Sequence, residues 1–379
     1  MTKDKSYKTP HHLVRILRKR GLEVGDKAEA RRLIETLGYF PVVTAYKHPF
    51  LLSKPGEEEI FAPGTSLSDI YYIYEFDKQE RNLVQRALND IELHLRQVSI
   101  RHFVEKFGDS HDAYTDFKNY QQIPNNIAKR FMNRLKSPTE THNAPYSYFK
   151  EKYENVPLWV AVQSWDFGTL ETFISYADSD VKRKIINEVI DSDFIRLVDN
   201  EDELTTIFME GIGLMRKFRN RASHGYRIYN YRPQNVSTDK SGEIIRPMIS
   251  YHPALLSHNL MTEKDYKDGY GQTGLGALFS ILGLFEYREP FQNIVNGTLD
   301  NVTLLNYQVR NVDFFILDAM GYPPIGISRY INNIIERNKT LKKSGVKIPG
   351  IYKYFPVEVS NGMIIPNAPQ YTGFVTPPK

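Results

Sequence analysis

Apolar residues recur every three to four positions over much of the chain, which is the pattern of amphipathic helices. The longest such stretch runs from Ser66 to Phe107, and Gly108 directly after it predicts where the helix ends. Asp26 is placed to cap a shorter helix at its N-terminus. Further helices are predicted over residues 11–37 with a break at Gly21 and Gly25, 158–177 with a break near Gly168, 181–190, Glu201 to Gly225, 274–286 and 328–343.

Three segments depart from the helical pattern. Residues 226–231 and 243–251 alternate as strands do around a turn at 238–242, and they predict a β-hairpin. Residues 109–155 are polar, aromatic and rich in His, Asn and Pro, which predicts an insertion between core helices rather than a core element. The last thirty or so residues repeat Pro and Gly and predict a poorly regular tail.

These elements predict a mainly α protein in three parts. Residues 1–65 are expected to form a small N-terminal helical module. Residues 66–231 are expected to form a bundle of four helices that contains the 109–155 insertion. Residues 232–379 are expected to hold the β-hairpin, additional C-terminal helices and the Pro-rich tail.

Composition narrows the class of protein. Of 379 residues, 41% are hydrophobic and 25% are charged, as in globular proteins. The absence of cysteine excludes disulfides, thiolate metal sites and cysteine nucleophiles. The longest apolar run is far shorter than the ~20 residues of a spanning helix, and no signal-peptide core follows Met1. We therefore expect a cytoplasmic protein without membrane contact.

Positive charge is concentrated at the end of the helix that begins near Glu201. Four of the six residues from Arg216 to Arg221 are basic, and His224 and Arg227 follow. Such a cluster suits a phosphate backbone, although a run of charge is more commonly a solvated helix face. The net charge of the chain, +4, does not separate these interpretations.

Helical geometry predicts which residues of this cluster lie on the same side of the helix. Arg216, Asn220 and His224 are four positions apart and share one stripe of the helix. Arg219 and His224 lie about 140° apart on a continuous helix, so they meet one ligand only at the edge of the stripe or where the helix unwinds. This angle is a weakness of any scheme in which both act together.

These residue types suit the cleavage of RNA, which carries its own nucleophile in the 2′-hydroxyl. His224 would act as general base or acid, Arg219 would hold the phosphate, and Asn220 would orient the histidine or bind the phosphate. Cleavage would leave a 2′,3′-cyclic phosphate and would spare DNA. No metal or cofactor is expected, because the other histidines lack ligand spacing with carboxylates. The reaction needs both a general base and a general acid, and one histidine supplies only one of them. A symmetric dimer would bring a second histidine.

A series of short motifs occurs in a fixed order between residues 10 and 231. They are Gly38-Tyr39-Phe40, Tyr46-Lys47-His48-Pro49-Phe50, Phe61-x-x-Gly64-Thr65-Ser66-Leu67-x-Asp69-Ile70, Phe76-Asp77 with Arg81, Ile91-Glu92-x-x-Leu95-Arg96, Pro157-Leu158-Trp159, Phe167-Gly168-Thr169-Leu170, Arg219-Asn220 to His224, Arg227 and Asn230. The series resembles the Abi-like family of abortive-infection proteins, typified by AbiD and AbiF. In addition, Arg219-Asn220 with His224 at the end of a fourth helix resembles the arginine–histidine motif of HEPN domains.

The resemblance implies a HEPN-like four-helix bundle that acts as a ribonuclease, often as a homodimer, in anti-phage or toxin–antitoxin systems. Some relatives are paired with a structured noncoding RNA. When the family's residue roles are transferred to this sequence, Arg219 and His224 are catalytic and Asn220 supports them. Glu92 and Arg96 match positions that lie near the site in such domains. An exposed ion pair between Glu92 and Arg96 is an equally simple interpretation.

Contacts to RNA are expected from a wider set of residues, and two functions remain open. The chain either cleaves RNA or holds a structured noncoding RNA without cutting it, and the same side chains serve both. Transfer of a nucleotide group is disfavoured, because no paired carboxylates lie beside a glycine–serine loop. The expected RNA-binding residues are Arg216, Arg221, Arg227, Tyr229, Asn230, Glu92 and Arg96.

Overall fold

Helices predominate in a computed structural model of the protein, which confirms the predicted mainly α fold. The structure describes residues 7–54, 56–140, 142–239, 242–309, 312–323, 357–360 and 363–366. The chain divides into two compact units. The first contains the described parts of 1–81, 297–319 and 324–379, and the second those of 82–296 and 320–323.

Most of the described elements are α-helices, and the strands among them are short. In chain order, the α-helices and strands are α1 Pro10–Lys19, α2 Lys27–Leu37, α3 Leu67–Phe107, α4 His111–Thr115, α5 Asn125–Glu140, α6 Tyr146–Tyr153, α7 Leu158–Ala161, α8 Phe167–Tyr176, α9 Ser179–Val189, α10 Ser192–Leu197, α11 Glu201–Ser223, β1 Asn235–Asp239, β2 Gly242–Arg246, α12 Pro253–His258, α13 Glu263–Lys267, α14 Gly274–Leu282, α15 Glu289–Gln308, α16 Asp313–Met320, β3 Val357–Ser360 and β4 Met363–Pro366.

Local sequence signals fix most of the predicted helix boundaries. Asp26 caps α2 by accepting hydrogen bonds from the backbone N–H groups of Ala28 and Glu29. Helix α3 begins one residue after the predicted Ser66, and Gly108 follows it with a φ of 84°, a left-handed conformation that glycine adopts without strain. The predicted helices at 181–190, 201–225 and 274–286 correspond to α9, α11 and α14.

The sequence pattern predicts that 109–155 is an insertion outside the core, and this prediction is wrong. The segment contains α4, α5 and α6. Tyr114, Tyr120 and Phe131 are all buried. The Tyr120 ring lies 5.7 Å from that of Phe103 on α3 and 5.9 Å from that of Phe173 on α8. Buried aromatic rings contribute a large apolar area, so polar neighbours in the sequence did not prevent core packing.

The β-hairpin is present, but its strands differ from the prediction. Strands β1 and β2 pair antiparallel, with Asn235 opposite Arg246 and Asp239 opposite Gly242. Residues 226–231 form turns and irregular backbone instead of the predicted first strand. A second antiparallel hairpin, β3–β4, lies in the tail for which the sequence predicts irregular structure. The helix predicted over 328–343 falls outside the described residues.

Glycine allows α11 to approach α14 closely. A Cβ atom added at Gly211 would lie 2.7 Å from Cγ2 of Ile281. Ile281 is buried and β-branched, so its side chain has little freedom to move away. A Cβ atom at Gly213, two residues along the same helix, would meet Glu171 Oε1 at 3.5 Å and Met248 Cε at 3.7 Å, which are ordinary contacts.

A polar group is buried in the first unit. The carboxylate of Glu80 accepts hydrogen bonds from Thr298 Oγ1 at 2.7 Å and Asn301 Nδ2 at 2.8 Å. Its side chain is inaccessible to solvent, and this burial raises its pKa from 4.5 to about 7. The two hydrogen bonds oppose the rise, but they do not offset the loss of hydration.

Among the described helices, none combines the length and the apolar character that crossing a membrane would require.

The close approach at Gly211 predicts opposite effects for two alanine substitutions. Gly211→Ala should lower the free energy of unfolding by about 1–2 kcal/mol, because overpacking outweighs the gain in helix propensity. Gly213→Ala should raise it by up to about 1 kcal/mol, because alanine favours the helix. Urea unfolding of the two variants measures the difference, and equal effects would contradict the contact with Ile281.

The burial of Glu80 predicts a pH-dependent stability difference between wild type and Glu80→Gln. The folded protein holds the Glu80 proton more tightly than the unfolded chain, so this residue's contribution falls as pH rises from about 4.5 to about 7. Glutamine stays neutral throughout this range. The variant should therefore gain on the order of 3 kcal/mol relative to wild type between these limits, measured by denaturant unfolding. Parallel pH curves for the two proteins would contradict the assignment, and Glu75→Gln on the same helix serves as control.

Candidate functional site

Helix α11 carries the cationic cluster to its C-terminal end. Asn200 caps its N-terminus by accepting a hydrogen bond from the backbone N–H of Glu203. The helix stays regular through Ser223, and His224 forms the C-cap with φ −87° and ψ 4°. Gly225 follows with a φ of 71°, which ends the helix. Because α11 does not unwind before His224, Arg219 and His224 leave its axis about 140° apart.

Arg219 is directed toward α3, where it meets Glu92. Its Nε lies 3.6 Å from Oε2 of Glu92. The other oxygen of Glu92, Oε1, accepts a hydrogen bond from Arg96 Nη2 at 2.8 Å. The same nitrogen of Arg96 also donates to the backbone oxygen of Trp165 at 3.1 Å. One carboxylate therefore holds two arginines from two helices.

The pair Glu92 and Arg96 differs from an ordinary surface ion pair. Only 8% of the Glu92 side chain and 13% of the Arg96 side chain are exposed, compared with 30% for Arg219. Burial raises the pKa of the Glu92 carboxyl, and the charges of Arg219 and Arg96 oppose that rise. The simpler interpretation of an exposed pair is therefore wrong, and Arg219 is the more accessible of the two cations.

A carboxylate on helix α8 pairs with a second arginine of the cluster, Arg216. Glu171 on α8 forms an ion pair with Arg216 Nε. Burial raises the pKa of the Glu171 carboxyl, while Arg216 and Lys217 lower it. Arg216 and Arg219 are thus held by different carboxylates, and these carboxylates lie on different helices.

Asp166, at the start of α8, lies between cations from two other helices. It caps α8 through the backbone N–H of Thr169 and lies 3.6 Å from Nη1 of Arg134 on α5. Burial opposes ionisation, but hydrogen bonds from Thr169 and the charges of Arg134 and Arg219 lower the pKa of Asp166. A methyl group added at Gly168 would lie 3.6 Å from Arg216 Cδ and 4.0 Å from Arg134 Nη1.

Sequence reasoning missed Asp166, Glu171 and Arg134. Asp166 had a usable signal, because an Asp three residues before Thr169 at the start of an apolar stretch is a common helix cap. Glu171 had none, since an isolated Glu on a helix does not reveal which helix it faces. Arg134 lies within 109–155, which the sequence pattern predicts to be an insertion.

His224 and Asn220 are exposed at the end of α11. The ring of His224 lies 6.3 Å from that of Tyr226, measured between centroids. Arg216 and Asn220 share its stripe of the helix, as predicted from their spacing. The structure therefore brings Arg219, Glu92 and Arg96 together, and it leaves His224 on a different side of α11.

The residues after α11 form a compact structure of their own. Arg221 Nε donates to the backbone oxygen of Arg227 at 2.8 Å, and its guanidinium lies 4.2 Å from the ring centroid of Tyr231. Asn230 is half-buried. Tyr229 is 1% exposed, so its ring packs in the interior and the expectation that it contacts RNA is wrong. Arg221 and Arg227 therefore both make contacts within this loop, since the Arg227 guanidinium lies 5.7 Å from the ring centroid of Tyr229.

The residues of the candidate site, from Glu92 to Asn230, lie in the part of the chain that matches a known family. Residues 32–230 match the model of the Abi-like protein family, which is more than half of the sequence. The chain belongs to the Abi-like family. A search of curated proteins and a search of solved structures each gave no match. Membership indicates a role in abortive infection for this Abi-like protein, and the match spans Glu92, Arg96, Arg219 and His224.

Removal of Glu92 should destabilise the protein. Glu92→Ala leaves Arg96 and Arg219 without their shared counter-charge, and Arg96 is nearly buried, so we expect a loss of about 3 kcal/mol. Glu105→Ala on the same helix removes a carboxylate that is 52% exposed and should change stability by less than about 0.5 kcal/mol. Chemical denaturation compares them, and similar losses would contradict the role of Glu92.

Proposed function

We propose that this Abi-like protein is a metal-independent endoribonuclease with a HEPN-type bundle as its catalytic domain. The observation that carries the proposal is the end of α11, where exposed His224 follows an arginine that a buried carboxylate holds in place. An exposed histidine can exchange protons with a substrate, and a fixed guanidinium can bind a phosphate. RNA brings its own nucleophile, so no further group is needed to attack the phosphorus.

The reaction would proceed by attack of the ribose 2′-oxygen on the adjacent phosphorus. A general base removes the 2′-hydroxyl proton as the bond from phosphorus to the 2′-oxygen forms. The bond from phosphorus to the 5′-oxygen breaks, and a general acid gives that oxygen a proton. His224 serves as the general base or the general acid, Arg219 stabilises charge on the phosphate, and Asn220 orients these two side chains. The products are a 2′,3′-cyclic phosphate and a 5′-hydroxyl.

The angle between Arg219 and His224 favours action as a homodimer. With α11 regular to its end, one copy presents the two residues in different directions. A second copy related by two-fold symmetry would bring its own pair to the same substrate. It would also supply the second proton-transfer group that a single histidine lacks. We propose that the dimer forms through the HEPN-type bundle.

The proposed role is toxic RNA cleavage in the cytoplasm, either during phage infection or when an RNA antitoxin is lost. The family membership supports an abortive-infection role. A structured noncoding RNA is the proposed antitoxin, and it would occupy the cationic surface that otherwise receives the substrate. No membrane or cofactor takes part in this scheme.

A second function rests on the same surface. The chain would hold a structured noncoding RNA without cutting it, and Arg216, Arg221 and Arg227 would bind its backbone. The separation of Arg219 and His224 on α11 favours this view, because binding does not require the two side chains to meet at one phosphate. Binding would depend on the number of cations and on salt, whereas cleavage would depend specifically on His224.

Cleavage of mixed RNA by the purified protein in EDTA tests the proposal. Wild type should cut, His224→Ala should lose about 10²–10⁴-fold in rate, and Arg219→Ala about 10²–10³-fold. RNA with 2′-deoxy substitution at the cut site should resist cleavage, because it lacks the nucleophile. Products are identified by their 2′,3′-cyclic phosphate ends.

Matched controls separate the active site from general effects of charge. Arg31→Ala removes an arginine from the exposed face of α2, and His11→Ala removes a histidine from the exposed face of α1. Both should cut like wild type. Cleavage that survives in His224→Ala would refute the assignment of the site. Tight RNA retention by all variants without cutting would favour the binding function instead.

A further inference from the structure

Helix α5 presents a cationic face that the candidate site does not account for. Its first fifteen residues, 125–139, contain no carboxylate. Lys129 and Arg130 are exposed, and neither forms an ion pair with another residue in the described part of the chain. One shallow surface groove follows this face and is lined by Asn126, Lys129, Arg130, Asn133, Arg134 and Ser137.

The spacing of these residues makes the groove a continuous polar stripe. They fall at intervals of three and four along α5, so they share one side of the helix. The opposite side is apolar, with Phe131, Met132 and Leu135 buried. Three cations lie among amide and hydroxyl groups along the stripe, and such a set of donors suits a row of phosphate oxygens.

The stripe leads to the candidate site. Arg134 lies on it and also contacts Asp166, which is influenced by the charge of Arg219. Arg134 also donates from Nη1 to Thr169 Oγ1 at 3.1 Å. A Cβ atom added at Gly168 would lie within 4.0 Å of both Arg134 Nη1 and Arg216 Cδ, so both arginines border Gly168. A chain of phosphates along α5 would therefore arrive at the arginines of α11.

Exposed aromatic rings lie on the two helices that follow. Helices α6 and α7 both pack against α5. Tyr148 and Tyr153 on α6 are 49% and 54% exposed, and Trp159 on α7 is 49% exposed. Phe149 links them, with its ring centroid 5.2 Å from that of Trp159 and 5.7 Å from that of Tyr153. Lys152 lies 5.2 Å from the ring centroid of Tyr148.

We propose that the segment α5–α7 binds an unpaired strand of RNA and delivers it to the site on α11. Lys129, Arg130 and Arg134 contact phosphates, and the exposed rings of α6 and α7 stack on bases. Rings stack only on bases that are not paired, so the surface selects single-stranded RNA over a duplex. This inference rests on the proposed action on RNA, and it adds the substrate class and the surface that selects it.

Binding measurements in a non-cleaving background test this inference. Each variant is made in the full chain with His224→Ala and titrated against a labelled single strand, and against a duplex of the same sequence, at several salt concentrations in EDTA. Lys129→Ala with Arg130→Ala should weaken single-strand binding about tenfold or more at 0.1 M salt. The slope of log K against log salt should become shallower by about 1.4, since each lost contact removes about 0.7.

A matched pair and a ring variant complete the test. Arg183→Ala with Lys184→Ala removes the same two charges from α9, where both already pair with Asp180, and should bind like the parent. Tyr148→Ala with Tyr153→Ala should weaken single-strand binding roughly tenfold or more, with an unchanged salt slope. Circular dichroism checks that each variant is folded.

The results separate this inference from the proposed nuclease. Equal affinity of the α5 double variant and the α9 double variant for the single strand would show that α5–α7 is not the strand-binding surface, and so would a duplex that binds as tightly as the single strand. Either result would do so independently of whether the wild type cleaves RNA. Ring variants that leave RNA binding unchanged would also overturn it and would point to a protein partner for the aromatic patch. Loss of cutting in His224→Ala is measured separately, in the cleavage assay.

Discussion

The geometry of the candidate site depends on the buried carboxylate of Glu92. A carboxylate this far from water is stable as an anion only if cations surround it, and two arginines do so. In return, the anion holds Arg96 and Arg219 close together although their charges repel. Because Arg96 shares α3 with Glu92 while Arg219 belongs to α11, this interaction also fixes how these two helices face each other.

Two further arginine–carboxylate pairs lie around the site, and their carboxylates are more exposed than that of Glu92. Glu171 pairs with Arg216, and Asp166 pairs with Arg134. The arginines are therefore held in fixed positions before any ligand arrives, which lowers the entropy lost when a phosphate binds. The cost is that a phosphate must compete with a carboxylate for each guanidinium. In the proposed function, capture of a distant RNA would therefore depend on cations that have no carboxylate partner among the described residues, such as Lys129 and Arg130.

The sequence predicted those features that depend on local patterns. Helix α3 continues for forty-one residues up to Gly108, and α11 has buried residues from Leu204 to Ala222 that end before Gly225. Arg219 was identified by its place at the end of that helix and by family resemblance. The angle between Arg219 and His224 was also predictable, because it follows from helix geometry alone.

Features that depend on distant partners were missed. Tyr114 and Tyr120 occur among polar residues, and only the tertiary structure shows that their rings are buried. The first strand of the hairpin was predicted at 226–231, because these residues alternate like a strand. In the structure Tyr229 is buried, the backbone turns there, and the strand begins later in the chain. The pairing of Glu171 with Arg216 joins helices that are separated in sequence, and no local pattern encodes such a choice.

The contact between Gly211 and Ile281 has a consequence for regulation. It locks the rotational setting of α11 against α14, and that setting determines which helix each arginine faces. A rotation of α11 about its axis would carry Arg219 and His224 together, would press the backbone at Gly211 against Ile281, and would separate Arg219 from Glu92 and Arg216 from Glu171. Because such a rotation is costly, a ligand that changed the accessibility of Arg219 and His224 would do so by covering the end of α11.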